Sequence, residues 1–187
     1  MNERVPDRYP LYDHQGLHAL LDAMTQQIAA RFDRMPLLLV GVLRRGVPLA
    51  EQLHARLARQ HPDWSIERID LKVKRYSDDL RLLHPETRLD LGAGQATLDL
   101  AGRRMLVVDD VLYQGHSLFR VVEFLRSRGG EFIHAAVLVD RCAARLPVTA
   151  EIVGARLQIA PADVIECNIP PYEANWQIDL YRPGASG

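Results

Sequence analysis

Cysteine is scarce in this chain, with Cys142 and Cys167 its only two. That is too few for a disulfide framework or a cysteine metal cluster, and it suits a reducing compartment. Long apolar runs are missing as well; none approaches the roughly 20 residues that a membrane-spanning helix needs. The amino terminus, Met1-Asn2-Glu3-Arg4-Val5-Pro6-Asp7, lacks the apolar stretch of a signal peptide. Together these absences set a cytoplasmic expectation. Nor is there a basic surplus: 23 Lys and Arg face 24 Asp and Glu, for a net charge of −1. Nucleic-acid affinity rests mainly on neutralising phosphates, so this balance disfavours RNA as a partner. Lysine is confined to Lys72 and Lys74.

What is present is ordinary for a globular chain. Of 187 residues, 48% are apolar and 25% charged, enough for one well-buried domain over residues 1–187 and short for two. Leu17, Leu20, Leu21, Met24, Ile28 and Phe32 fall on one stripe, which predicts an amphipathic helix over residues 14–32 with Asp22, Gln26 and Gln27 facing outward.

The run from Met105 to Phe119 organises the rest. Four apolar residues lead into Asp109-Asp110, then comes a short loop with Gly115, then Ser117 and the helical spacing Leu118, Val121, Val122, Leu125. The order predicts a buried strand, a loop and a helix capped by Ser117. A helix start of this kind aims backbone N–H groups at one spot and favours an anion there. Two neighbouring carboxylates are costly unless a hydroxyl-rich ligand or a hard cation compensates them. Phosphate on one side and a diol on the other describe a ribose 5-phosphate.

A second unit of the same kind lies upstream. Leu37 to Leu43 is a continuous apolar run, typical of a parallel strand covered on both faces. It ends in Arg44-Arg45-Gly46 ahead of Leu49, Leu53 and Leu57 at helical spacing. Its loop is either a second anion cradle or a charged surface turn. Ser65 to Tyr76 alternates apolar and charged residues, which predicts a strand with one wet face near an edge. Residues 77–98 show no periodicity and read as a long loop of the length usual for a lid. Ile133 to Asp140 is a further buried strand ending in Asp140-Arg141, level with Asp109 if the two strands are parallel neighbours, with His134 at its entry in a structural role. Asn175 to Pro183 is a last strand.

Val107-Val108-Asp109-Asp110-Val111-Leu112-Tyr113-Gln114-Gly115-His116-Ser117 resembles the phosphoribosyl-pyrophosphate (PRPP) signature of type I phosphoribosyltransferases. Its Asp-Asp-Val-Leu-Tyr form resembles the PyrR branch, pyrimidine-operon attenuators that double as uracil phosphoribosyltransferases. Where the family usually has Thr, Arg and Thr, this chain has Gln114, His116 and Ser117. Gly41 to Ala50 is similar to the family's pyrophosphate loop, and Tyr76 to Leu80 to the start of its mobile loop, with Ser77 where an Arg often stands. Leu146 to Gly154 is similar to the stretch that helps build the hood over the base.

The resemblance implies an α/β fold, a doubly wound, mostly parallel sheet flanked by helices, with a small hood formed by about residues 142–187 and the amino-terminal residues. It implies transfer of ribose 5-phosphate from PRPP to a pyrimidine, uracil giving UMP, with Mg²⁺ as cofactor. Asp109 and Asp110 would hold the ribose hydroxyls or, through water, the metal, and Arg75 would steady the leaving pyrophosphate. Tyr113, Gln114, Gly115, His116 and Ser117 would hold the 5-phosphate, and Arg44, Arg45 and Gly46 the pyrophosphate. Val111, Leu112, Asp140 and Arg141 would line the base side. Hypoxanthine-guanine members carry an acid where this chain has Tyr113 and a Lys where it has Asp140, so a pyrimidine is favoured. The expected partners are PRPP, uracil or UMP, pyrophosphate and further copies of the chain in a homo-oligomer, a dimer or larger. A regulator that senses PRPP or nucleotides with little catalysis is the alternative, and a doubly wound domain for another nucleotide the third.

Overall fold

A computed structural model describes residues 7–71 and 100–183. The elements are β1 (Asp7–Tyr12), α1 (His14–Phe32), β2 (Leu37–Val42), α2 (Gly46–Gln60), β3 (Ile66–Leu71), β4 (Arg104–Leu112), α3 (His116–Ser127), β5 (Phe132–Asp140), β6 (Ile152–Arg156), β7 (Val164–Asn168) and β8 (Gln177–Arg182). Lys72, Lys74, Arg75 and the expected lid at 77–98 lie outside the described residues.

Five strands form a parallel sheet in the order β3-β2-β4-β5-β6. Because strand side chains alternate between faces, the continuous apolar runs serve two cores at once. Leu37, Leu39, Leu106, Val108, Ala136 and Leu138 join one cluster with Leu17, Leu21 and Met24 of α1 and Leu49, Leu53 and Leu57 of α2. Leu38, Val40, Met105, Val107, Ala135 and Val137 join the other with Leu118, Val121 and Leu125 of α3. A Leu buried this fully contributes about 1.5–3 kcal/mol relative to an exposed one. The sheet is therefore covered on both sides, as the unbroken apolar runs require.

The connections decide where a ligand fits. From β2 the chain passes through α2 to β3 on one side; from β4 it passes through α3 to β5 on the other, over the opposite face. The neighbouring strands β2 and β4 thus flank the point where the winding reverses, and the carboxyl ends of strands at such a point are where an open α/β sheet takes its ligand.

Local chemistry fixes the element ends. Asp13 caps α1 by accepting the Gly16 N–H at 2.8 Å. The free edge of β6 is closed by Gln27, whose Nε2 donates to the Val153 carbonyl at 3.0 Å while its Oε1 accepts the Val153 N–H at 3.2 Å. Gln27 therefore completes a sheet edge instead of facing outward. Asp22, expected to be outward, does face solvent in part and accepts from Arg56 Nε at 2.8 Å. β3 is the opposite edge strand of this sheet.

A second sheet, β1-β8-β7, is antiparallel. It joins the amino-terminal strand to the last two and packs through Ile165, Cys167, Ile169 and Ile178 on the same cluster as Leu106 and Val108. Buried Asp179 ties it together, accepting from Asn168 Nδ2 at 2.8 Å and Gln177 Nε2 at 2.6 Å. The segment similar to the hood stretch, 146–154, runs into β6 and so belongs in part to the large sheet. Apolar alternation too short to separate a fifth parallel strand from a cap left β1, β6 and β7 unseen in the sequence.

Candidate functional site

The two loops meet. Gly41 pairs in register with Val108, so the chain leaving β2 rises beside the acidic end of β4. It then folds over that end: a Cβ built on Gly46 would collide with the Val108 carbonyl oxygen and stand 3.2 Å from the Asp109 Cα. Only a residue without a side chain lets α2 begin so close to β4. The Leu43–Arg44 peptide bond in this loop is cis, and Arg45 N-caps α2.

β4 continues through the acidic pair to Leu112 instead of ending at it. Asp110 is 8% exposed, and its charge is met from two sides. Its Oδ1 accepts the Val111 N–H at 3.0 Å, and its Oδ2 lies 3.7 Å from Arg45 Nη1. Asp109 Oδ1 accepts the Asp110 N–H at 2.9 Å. The compensation that an adjacent carboxylate pair needs thus comes partly from the neighbouring loop.

Arg45 reaches a third carboxylate. Its Nη2 donates to Glu173 Oε1 at 2.6 Å and its Nε to Glu173 Oε2 at 3.2 Å, a two-point fork. Glu173 Oε2 also accepts the Ile169 N–H at 2.8 Å. The Arg45 hydrogen bond holds the Glu173 carboxyl below its usual value, and the same bond raises Arg45. Arg44 is exposed, with its guanidinium 4.8 Å from the Tyr172 ring centre. Consecutive residues after β7 therefore engage consecutive arginines of the loop. Sequence reasoning missed Tyr172 and Glu173; the Pro170-Pro171 pair marks the turn that presents them, but nothing local says what they face. Cys167 lies fully buried beneath the crevice, where burial pushes its thiol well up.

At the start of α3, Gly115 sits at the N-cap with φ +90°, a conformation that suits glycine, and a Cβ there would meet Val148 Cγ2 at 2.5 Å. The cap is Gly115 and not Ser117, which lies within the first turn; no side chain caps this end. The reason is geometric: the left-handed turn at Gly115 starts the helix two residues early, leaving its first N–H groups without a side-chain acceptor. His116 and Ser117 are exposed, and Tyr113 and Gln114 half-buried. The Gln114 carbonyl accepts the Arg145 N–H at 3.0 Å.

On the far side of β4, Asp140 is level with Leu112, and Asp109 with Val137, so Asp140 stands three residues beyond the level expected. The cause is the continuation of β4 past the acidic pair. Arg141 is 6% exposed; its guanidinium lies 4.1 Å from the Tyr113 ring centre and its N–H donates to the Leu112 carbonyl at 2.9 Å. Leu112 itself is buried in the α3-side core, so only its backbone lies at this wall. Val111 is half-buried. Asp140 Oδ1 accepts the Cys142 N–H at 2.8 Å. His134 stands far off at the entry of β5, bonded to Glu151 at 3.1 Å and edge-on to Phe32.

Residues 9–173 match the family described as phosphoribosyl transferase domain. The chain belongs to this family. Two relatives narrow the branch: the bifunctional protein PyrR of Deinococcus radiodurans is 34% identical over 148 residues, 79% of each chain, and that of Clostridium perfringens strain 13 is 27% identical over 174 residues, 92% of this chain and 96% of the relative. The chain is a PyrR-like type I phosphoribosyltransferase by these matches. Among solved structures, the hypoxanthine phosphoribosyltransferase of Trypanosoma cruzi superposes with a TM-score of 0.71 at 19% identity, over 93% of this chain and 96% of that one. A Staphylococcus aureus hypoxanthine phosphoribosyltransferase gives 0.67 at 19% identity, over 83% and 80%. These show the type I phosphoribosyltransferase fold expected from the sequence.

A family member of this kind implies a divalent cation. Among the described residues no three His, Cys, Asp or Glu side chains converge on one point; the carboxylates at the end of β4 are Asp109 and Asp110, while Glu173 is taken up by Arg45. That set fits Mg²⁺ held mainly by ligand oxygens and water, as the ion prefers, and not an all-protein cage. No helix among the described residues is long and apolar enough to cross a membrane.

Proposed function

We propose that this phosphoribosyltransferase transfers the ribose 5-phosphate of PRPP to a pyrimidine, uracil in the first place, releasing pyrophosphate. One observation carries the reading: the Arg44–Gly46 loop is seated on the end of β4 at Val108 and Asp109, and the same strand runs on through the acidic pair to the Gly115 turn that starts α3, so the two candidate anion corners flank one strand end. A ligand with phosphates at both ends of a ribose spans such a pair of corners.

In this reading the first-turn amides of α3, with Gln114, His116 and Ser117, bind the 5-phosphate. Asp109 and Asp110 accept from the ribose hydroxyls and stabilise positive charge that develops on the sugar ring as the pyrophosphate bond breaks. The amides of residues 44–46 and the Arg44 guanidinium bind the departing pyrophosphate. The uracil ring nitrogen forms the new bond to the anomeric carbon, and its proton passes to solvent or pyrophosphate. When bound, Mg²⁺ supplies charge neutralisation of the pyrophosphate and added orientation of the ribose hydroxyls. Positioning and electrostatics supply the acceleration, so no strong general base is needed. Arg141 over Tyr113 closes the base side without the acid or Lys of the hypoxanthine-guanine members, which supports a pyrimidine.

The test is UMP formation from uracil and PRPP with Mg²⁺, run beside hypoxanthine and guanine. Turnover with uracil well above that with either purine is expected; purine preference would overturn the substrate, and PRPP binding without turnover would favour the regulator instead. The regulator reading draws on the relatives, each a bifunctional protein PyrR. A gel shift with leader RNA of a pyrimidine operon tests it.

A further inference from the structure

Both guanidiniums of the 44–46 loop are already engaged from the opposite wall. Glu173 takes the Nε and Nη2 edge of Arg45, and the Tyr172 ring lies under Arg44. The Arg45 edge used is the two-donor fork that suits a phosphate oxygen pair as well as a carboxylate. Its remaining nitrogen, Nη1, faces Asp110 at 3.7 Å. Glu173 is not a loose surface acid that happens to fall there, because the Ile169 N–H holds the same oxygen that accepts from Arg45 Nε. Arg45 and Glu173 keep side-chain exposures of 28% and 24%, so an incoming anion reaches the pair without unfolding it.

We propose that Glu173 is an internal competitor for pyrophosphate: its carboxylate takes the Arg45 fork and must yield that fork when a diphosphate binds, so it sets the affinity of the pyrophosphate corner. The proposal deepens the reading above and rests on it. Arg45 then has two states, tied to the segment after β7 or tied to ligand, and diphosphate binding loosens that segment from the loop. Removing the carboxylate also removes a negative charge from beside the ligand, so both effects act in the same direction.

The experiment measures binding of two probes by calorimetry with Mg²⁺ present: inorganic pyrophosphate, which uses the Arg45 corner, and ribose 5-phosphate, which uses the α3 corner. Glu173→Gln keeps the side-chain size and Glu173→Ala removes the acceptor; should the alanine variant not fold, the glutamine variant carries the test. A partly exposed ion pair of this kind is modest in strength, so pyrophosphate binding is expected to tighten by roughly three- to tenfold while ribose 5-phosphate stays within about twofold. Pyrophosphate affinity that is unchanged or weakened in both variants, with ribose 5-phosphate still bound, overturns this inference and leaves the transferase reading standing. A wild-type chain that binds neither probe overturns both.

Discussion

Gly46→Ala is the sharpest perturbation of the crevice. The added methyl would collide with the Val108 carbonyl oxygen and lie 3.2 Å from the Asp109 Cα. Both obstacles are backbone of a buried central strand and cannot swing aside, so the start of α2 must retreat. Overpacking of this kind costs about 1–3 kcal/mol, which lowers the melting temperature of a chain of this size by roughly 2–12 °C. The retreat carries Arg45 away from Asp110 and separates the two corners. A misplacement on the order of 1 Å can cost about a hundredfold in rate, so kcat/KM for PRPP should fall by roughly ten- to a hundredfold while the fold persists. The assay is initial-rate UMP formation against PRPP concentration, with a melt on the same preparation. A folded variant with kcat/KM within about twofold of wild type would refute the claim that this contact holds the site together.

Other outcomes follow from the same contacts. Asp110→Asn removes the carboxylate that faces Arg45 at 3.7 Å and should cut UMP formation by roughly a hundredfold, as loss of a transition-state charge partner does; full activity would end the ribose assignment. Gln27→Ala strips both partners from the Val153 backbone and should lower stability by about 1–3 kcal/mol in urea titration without touching kinetics. Because Arg45 holds the Glu173 carboxyl below its usual value, the pair's contribution to stability is present above the unfolded carboxyl value. It is lost as the pH falls through the depressed folded one. The melting difference between wild type and Glu173→Gln should therefore shrink as buffers are taken from about pH 6 to pH 3; a constant difference contradicts the pairing. Of the two thiols, exposed Cys142 should react with a thiol reagent in the native chain, whereas Cys167, buried and with its thiol pushed well up, should wait for unfolding; two equally fast thiols would contradict this.

Four of the five strands of the large sheet and both glycine corners were legible in the sequence because their signals are local. Unbroken runs such as Leu37–Val42 belong to strands covered on both faces, and a Gly between strand and helix marks a turn that side chains would block. The level of Asp140 was misjudged by three residues because alternation tells which face a side chain takes, not how far a strand runs past its neighbour. Ser117 looked like a cap because hydroxyls favour that position, but a left-handed Gly115 started the helix first. The role of Gln27 was invisible because its partner, Val153, is 126 residues away. Glu173 escaped for the same reason: 128 residues separate it from Arg45, and a single acid in a turn carries no pattern. Long-range polar pairs depend on topology, which local periodicity does not encode.

Competition binding tests the account most directly. With Mg²⁺ present, labelled PRPP should be displaced both by UMP and by pyrophosphate, while UMP and pyrophosphate bind together without excluding each other, since each fills one corner of a shared crevice. Displacement by one of them alone would assign the corners to different ligands and contradict the transfer chemistry.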